Sequence, residues 1–155
     1  MKATLALIIV LTACVGCAIS VRPVSAQQQE RQAYRVALIR PFNALTAAAD
    51  KAQVVCVGGQ QPDPHACYAD TQAEIQKARS VERILRSSTV PRGYATANAD
   101  FIRGITLFIE GLRKRSQSLL IRSGAEYAAG DQFIAKGNAL QKQAISEYPK
   151  GSGIN

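Results

Sequence analysis

Apolar residues recur along most of this chain at spacings of three and four, the period of a helix with one buried face. Four such segments are legible. The first covers about residues 28–53, where Tyr34, Leu38, Phe42, Leu45, Ala49 and Ala52 form one stripe. Pro41 interrupts it. Proline lacks an amide hydrogen and crowds the preceding turn, so the helix is expected to kink or divide there. Residues 55–64 read as a loop, with Gly58-Gly59 ending the first pattern. The second segment covers about 64–86, with Tyr68, Thr71, Ile75, Ala78, Val81 or Glu82, and Leu85 on its stripe. Asp63 suits an N-cap and Pro64 a first helical position.

Ser87-Ser-Thr-Val-Pro91 breaks the pattern, and Pro91-Arg-Gly93 leads into a third segment. This one is long. Phe101, Ile105, Phe108, Leu112 and Leu119 share a face that Ile102, Ile109 and Leu120 widen. The fourth is expected over Asp131 to about Glu147, with Phe133, Gly137, Leu140, Ala144 and Tyr148, and Ile134 and Ile145 beside them. Gly130 reads as the C-terminal cap of the third helix and Asp131 as the N-cap of the fourth. Pro149 stops the pattern, and 149–155 read as a flexible tail. No alternating strand pattern is present. Four helices with one apolar face each hide those faces by packing together. The fold class is therefore all-α: an antiparallel four-helix bundle, kinked in its first helix at Pro41, with the second hairpin the longer.

A second pattern runs beside the aliphatic face of the third segment. Ala97, Gly104, Gly111, Ser118 and Ala125 recur every seven residues. Glycine inside a helix costs about 1 kcal/mol relative to alanine. Close approach of another backbone would offset that cost, either from a helix of the same chain or from a homodimer or partner helix.

The N-terminal stretch departs from this patterning. Met1-Lys2 precedes a nearly unbroken apolar run from Leu5 to Val21, then Pro23-Val-Ser-Ala26. Three readings stay open. A signal peptide would occupy 1–26, with Val24 and Ala26 as the small residues before a cut at Gln27. A lipoprotein signal would occupy 1–13, since Leu11-Thr-Ala-Cys14 fits a lipobox and makes Cys14 the lipidated residue. An uncleaved anchor would need the run of 17 residues to span a bilayer, which is at the lower limit. All three place the domain, 27–148, outside the cytoplasm: periplasmic, secreted or at the envelope surface.

That address changes how the cysteines and charge read. The chain has 19 Lys+Arg and 11 Asp+Glu; without the leader's Lys2 and Arg22, 17 basic residues remain and the net charge is +6. A moderately basic domain favours anionic envelope components or an acidic protein as partners. Of four cysteines, Cys14 and Cys17 lie in the leader, and Ala18 stands where c-type haem attachment needs histidine. Cys56 and Cys67 remain, and in an oxidising compartment an even pair points to a disulfide.

Candidate chemistry is sparse. His65 is the only histidine, there is no tryptophan, and Met1 is the only methionine. A zinc site from Cys56, Asp63, His65 and Cys67 would need reduced thiols. No Gly-x-Ser-x-Gly motif and no phosphate-binding glycine loop occurs. Asp70 and Glu74 lie one turn apart; they are read as solvated and facing Lys77 and Arg79 rather than as a proton-donor pair. Arg113-Lys-Arg115 is the densest charge. Arg115 aligns with Arg122 on the flank of Gly111 and Ser118, where the two would meet phosphate or acidic groups. No aromatic residues interleave with these charges, so a nucleic-acid platform is not expected.

The stretch Val90-Pro-Arg-Gly-Tyr94, then Phe101-Ile-x-Gly-Ile-x-x-Phe-Ile-Glu-Gly-Leu112, Ala129-Gly-Asp131 and Gly137-Asn-Ala-Leu140 resembles small bacterial exported or lipid-anchored helical proteins of unknown function. The resemblance covers the C-terminal half. It implies an envelope location and a helical bundle, and it carries over no site residues. The sequence thus leads to a non-enzymatic extracytoplasmic interaction module without a cofactor or metal. Its contact surface would be Gly104, Gly111, Arg115, Ser118 and Arg122, for a protein partner, an anionic envelope component or a second copy. The chain would reach a membrane only through its N-terminal lipid or anchor. The rival expectation is a small-ligand carrier, with Tyr68, Tyr94, Phe101 and Phe108 lining a cavity of a few hundred Å³ between helices.

Overall fold

A computed structural model describes residues 25–57 and 63–148. The described residues form four α-helices and no strand: α1 (Ala26–Val57), α2 (Pro64–Ser87), α3 (Ala95–Ile121) and α4 (Gly124–Glu147). The expectations for the apolar leader, for Cys14 and Cys17, for Gly58-Gly59 and for the tail lie outside these residues. No described helix is long and apolar enough to cross a membrane.

Helix boundaries follow local chemistry. At the start of α1, Ser25 Oγ accepts from the Gln28 amide at 3.2 Å, and Gln28 Oε1 accepts from the Ser25 amide at 3.0 Å. This reciprocal capping box satisfies two amides that a helix start otherwise leaves unpaired. The expected cut before Gln27 falls inside it. α1 runs through Pro41 as one helix, so the proline does not divide it. α2 begins as expected, with Asp63 accepting from the His65 amide at 2.9 Å and Pro64 in the first turn. Pro91 to Tyr94 form a turn closed by the Tyr94 amide on the Pro91 carbonyl at 3.0 Å. Gly93 takes φ 89° there, a region in which a side chain is strained.

Two expectations are corrected. The break between the last two helices is not at Gly130-Asp131. α3 ends at Ile121, Arg122 turns left-handed at φ 53°, and Ser123 caps α4 by accepting from the Glu126 amide. The winning signal is Ser123-x-x-Glu126, a cap followed by an acid in the first turn. Nor is the second hairpin the longer, because α1 alone spans 32 residues against 27 for α3.

Each helix packs on its neighbour in sequence, and the tightest pair is α3 with α4. The glycines set that approach. A Cβ on Gly104 would lie 2.8 Å from the Gly137 carbonyl, and one on Gly137 2.7 Å from the Gly104 carbonyl. Gly111 and Gly130 repeat this, at 2.6 and 2.8 Å. Residue numbers climb along α3 as they fall along α4. One heptad further, the same register sets Ala97 against Ala144, both buried. Residues of α4 therefore fill the groove foreseen on the third helix. Gly130 belongs to this contact rather than to a cap.

The core gathers Ile75, Ala78, Val81 and Leu85 of α2, Phe101, Ile105, Ile109 and Leu112 of α3, and Tyr34 and Leu38 of α1. Cys56 and Cys67 are bonded, with Cα atoms 5.0 Å apart, and join the end of α1 to the start of α2. Closing a loop of this size removes entropy from the unfolded chain. Reduction, or the Cys56→Ser/Cys67→Ser pair, is expected to cost about 3 kcal/mol, read as a lower denaturation midpoint. An unchanged midpoint would mean the bridge is dispensable.

Candidate functional site

The α1 stripe has two halves of different bulk. Its N-terminal half places Tyr34 and Leu38 deep in the core. The Tyr34 hydroxyl donates to the Asn98 side-chain oxygen and lies 3.2 Å from the Tyr148 hydroxyl. Tyr94 packs edge-on against both tyrosines, at 5.9 and 5.3 Å between ring centres. Burial raises the Tyr34 and Tyr148 pKa values above the usual phenol range. Phe42 closes this half with an edge-to-face contact to Phe101 at 5.0 Å. At this end the Tyr34 and Tyr148 side chains meet across the gap between α1 and the end of α4.

Beyond Phe42 no such side-chain contact is present among the described residues, and a cleft takes its place. α1 and α4 have no close backbone approach among the described residues. Facing each other across the gap are the small Ala49 and Ala52 on α1 and Asn138 and Gln141 on α4, beside a glycine at 137. A cleft of about 430 Å³ results. One wall is α1, from Phe42 and Leu45 to Cys56; the other is Asn138 and Gln141 of α4. Thr71 and Glu74 of α2, with Phe108 and Arg115 of α3, complete it.

Glu74 is the unusual member. It is only 6% exposed, and no described residue makes a hydrogen bond or ion pair to its carboxyl. Loss of solvent pushes its pKa from 4.5 to about 7, against the opposing pull of Arg115. The expectation that Asp70 and Glu74 share a solvated face is therefore corrected. Asp70 pairs with Lys51 of α1 at 2.6 Å, while Glu74, one turn on, points inward. The cause is register: Glu74 neighbours Ile75 and follows Thr71 on the buried stripe.

Arg115 is already engaged. Its Nη2 donates to the Tyr127 hydroxyl at 2.6 Å, its Nε lies 3.4 Å from Asp131, and its guanidinium stacks on the Tyr127 ring. The acidic group it meets belongs to its own chain. Of the other residues read as a contact surface, Gly104 and Gly111 face α4 and Ser118 is buried. Arg122 is exposed at the α3–α4 turn. Of the aromatic residues expected to line a cavity, only Phe108 does so. Tyr94 and Phe101 belong to the core, and Tyr68 lies outside the cleft.

A second depression of about 600 Å³ lies at the disulfide end, near His65, Leu119, Leu120 and Arg122. It is larger, but His65 and Arg122 are exposed and water already serves them. Among the described residues, no three His, Cys, Asp or Glu side chains gather closely enough to hold a metal ion. Sequence reasoning missed the cleft because a gap between helices leaves no periodic signal. An acid on an otherwise apolar stripe was the available clue. Comparison with protein families, with curated proteins and with solved structures finds no match.

Proposed function

We propose that this chain is a non-enzymatic, exported antiparallel four-helix bundle that binds a small amphiphilic molecule in the seam between α1 and α4. The observation that carries this reading is the cleft of about 430 Å³, within the range of small-molecule sites. Its walls set apolar side chains (Phe42, Leu45, Ala49, Ala52 and Phe108) beside polar ones, and among the latter Glu74 is mostly buried and has no protein partner among the described residues. Pockets that hold small molecules combine apolar area for affinity with polar groups for orientation. No nucleophile paired with a base lines the cleft, so the geometry supports retention of a ligand rather than its conversion.

The interaction-module reading keeps one observation of its own. Val36 and Ile39, one turn apart on α1, are 61% and 42% exposed. They form a small exposed apolar patch, as do Leu120 and Ile121 at the end of α3, each 63% exposed.

A neutral apolar fluorophore, N-phenyl-1-naphthylamine, tests the ligand reading. It is expected to brighten on binding the native protein. Ala49→Phe puts a ring into the seam and is expected to weaken that binding at least about 10-fold, with helical content kept. Binding undiminished in Ala49→Phe, or no binding by the native protein, overturns the reading.

A further inference from the structure

We propose that Glu74 anchors the protonated amine of an amphiphile whose apolar body lies against Phe42, Leu45 and Phe108. This inference rests on the ligand reading of the cleft and names the chemical class of the ligand. It follows from what surrounds the carboxyl. Glu74 is more than nine-tenths buried, lines the cleft and has no partner among the described residues. With no protein partner, its carboxyl has only the solvent of the cleft to serve it, and so little hydration makes the carboxylate costly. An ammonium group entering the cleft supplies the missing partner through a charge-assisted hydrogen bond.

Other ligand chemistries fit less well. A divalent cation needs several oxygen ligands, and Glu74 is the only acid among the lining residues. An anion would need Arg115, whose guanidinium is already held by Tyr127 and Asp131. A neutral alcohol can donate a hydrogen bond to the carboxylate but brings no positive charge to balance it. The charged groups facing Glu74 are few. α3 brings Arg115, α1 and α4 bring no charge to the lining, and on α2 itself Asp70 is turned to Lys51.

The raised pKa of Glu74 adds a pH signature. Around neutral pH the empty cleft holds a partly protonated carboxyl. Binding an ammonium ion requires the carboxylate, so the proton leaves to solvent as the amine enters. With a midpoint near 7, affinity for an amine should rise about 30-fold from pH 5.5 to 8.5, while a simple alkylamine stays protonated.

The test is displacement of N-phenyl-1-naphthylamine by octylamine, octanol and octanoate, in the native protein and in Glu74→Gln. Circular dichroism at pH 4.5 serves as the folding control, since glutamine mimics the neutral acid there. The expected result is that octylamine displaces the probe at least about 10-fold better than octanol at pH 8.5. That preference should shrink at pH 5.5 and vanish in Glu74→Gln. Equal displacement by the three ligands, or an amine preference that survives in Glu74→Gln, overturns the amine assignment and leaves the ligand reading standing. A preference for octanoate overturns it in favour of Arg115 as anchor. If the probe itself does not bind the native protein, both readings fall.

Discussion

The Gly104→Ala/Gly111→Ala double variant is expected to lose about 4 kcal/mol of stability, a large share of what a domain of this size has. A methyl group at Gly111 would sit 2.6 Å from the Gly130 carbonyl and 2.7 Å from the Ile134 amide. At Gly104 it would sit 2.8 Å from the Gly137 carbonyl and 2.9 Å from the Gln141 amide. These obstacles are backbone, so a rotamer change cannot relieve them. Overpacking of this kind costs up to about 3 kcal/mol per site, while glycine to alanine in a helix returns about 1 kcal/mol. Both sites lie on one face of α3, so relief requires α4 to move away as a whole and expose the α3–α4 interface. Gly124→Ala is the matching control. It lies in the first turn of α4 with nothing within 4 Å of the added carbon, and it should be neutral or slightly stabilising. Chemical denaturation of the variants reads both effects. A double variant as stable as the native protein would show that the two helices need not approach this closely.

The second large effect is the pH dependence that Glu74 imposes. Its folded pKa, about 7, lies above its ordinary value of 4.5. The folded chain therefore holds this proton more tightly than the unfolded chain. Stability from this group is complete below about pH 4.5 and is lost as pH rises through 7. A difference of about 2.5 units corresponds to about 3 kcal/mol. Glu74→Gln keeps the shape and removes the titration. It is expected to match the native protein at pH 4.5 and to exceed it by about 3 kcal/mol at pH 8.5. Other acids titrate in both proteins, so the difference between them isolates Glu74. Equal stabilities at both pH values would mean that the carboxyl is solvated.

The helices were legible because their signals are local. Tyr34, Leu38, Phe42 and Leu45 recur at helical spacing, and Asp63-Pro64 starts α2 where capping chemistry requires. The glycine heptad was legible as a demand for close approach, and α4 meets it. The last helix start was misread because Gly130-Asp131 imitates a cap, whereas Gly130 is needed for contact with Gly111. Ser123, with Glu126 three residues on, held the competing signal. The cleft had no local signature. It lies between two helices distant in sequence, and only the fold brings Ala49 and Gln141 to one cleft. Glu74 reads as solvated from its type and its place one turn from Asp70. Its place on the Thr71–Ile75–Ala78 stripe argued the other way.

The most direct measurement is the titration of the Glu74 carboxyl itself. It can be followed by carbon-13 NMR of labelled glutamate and assigned through Glu74→Gln, in the free protein and in saturating octylamine. The account predicts a midpoint near 7 in the free protein, falling by at least about one unit when the amine is bound. A midpoint near 4.5 that octylamine does not move would contradict it.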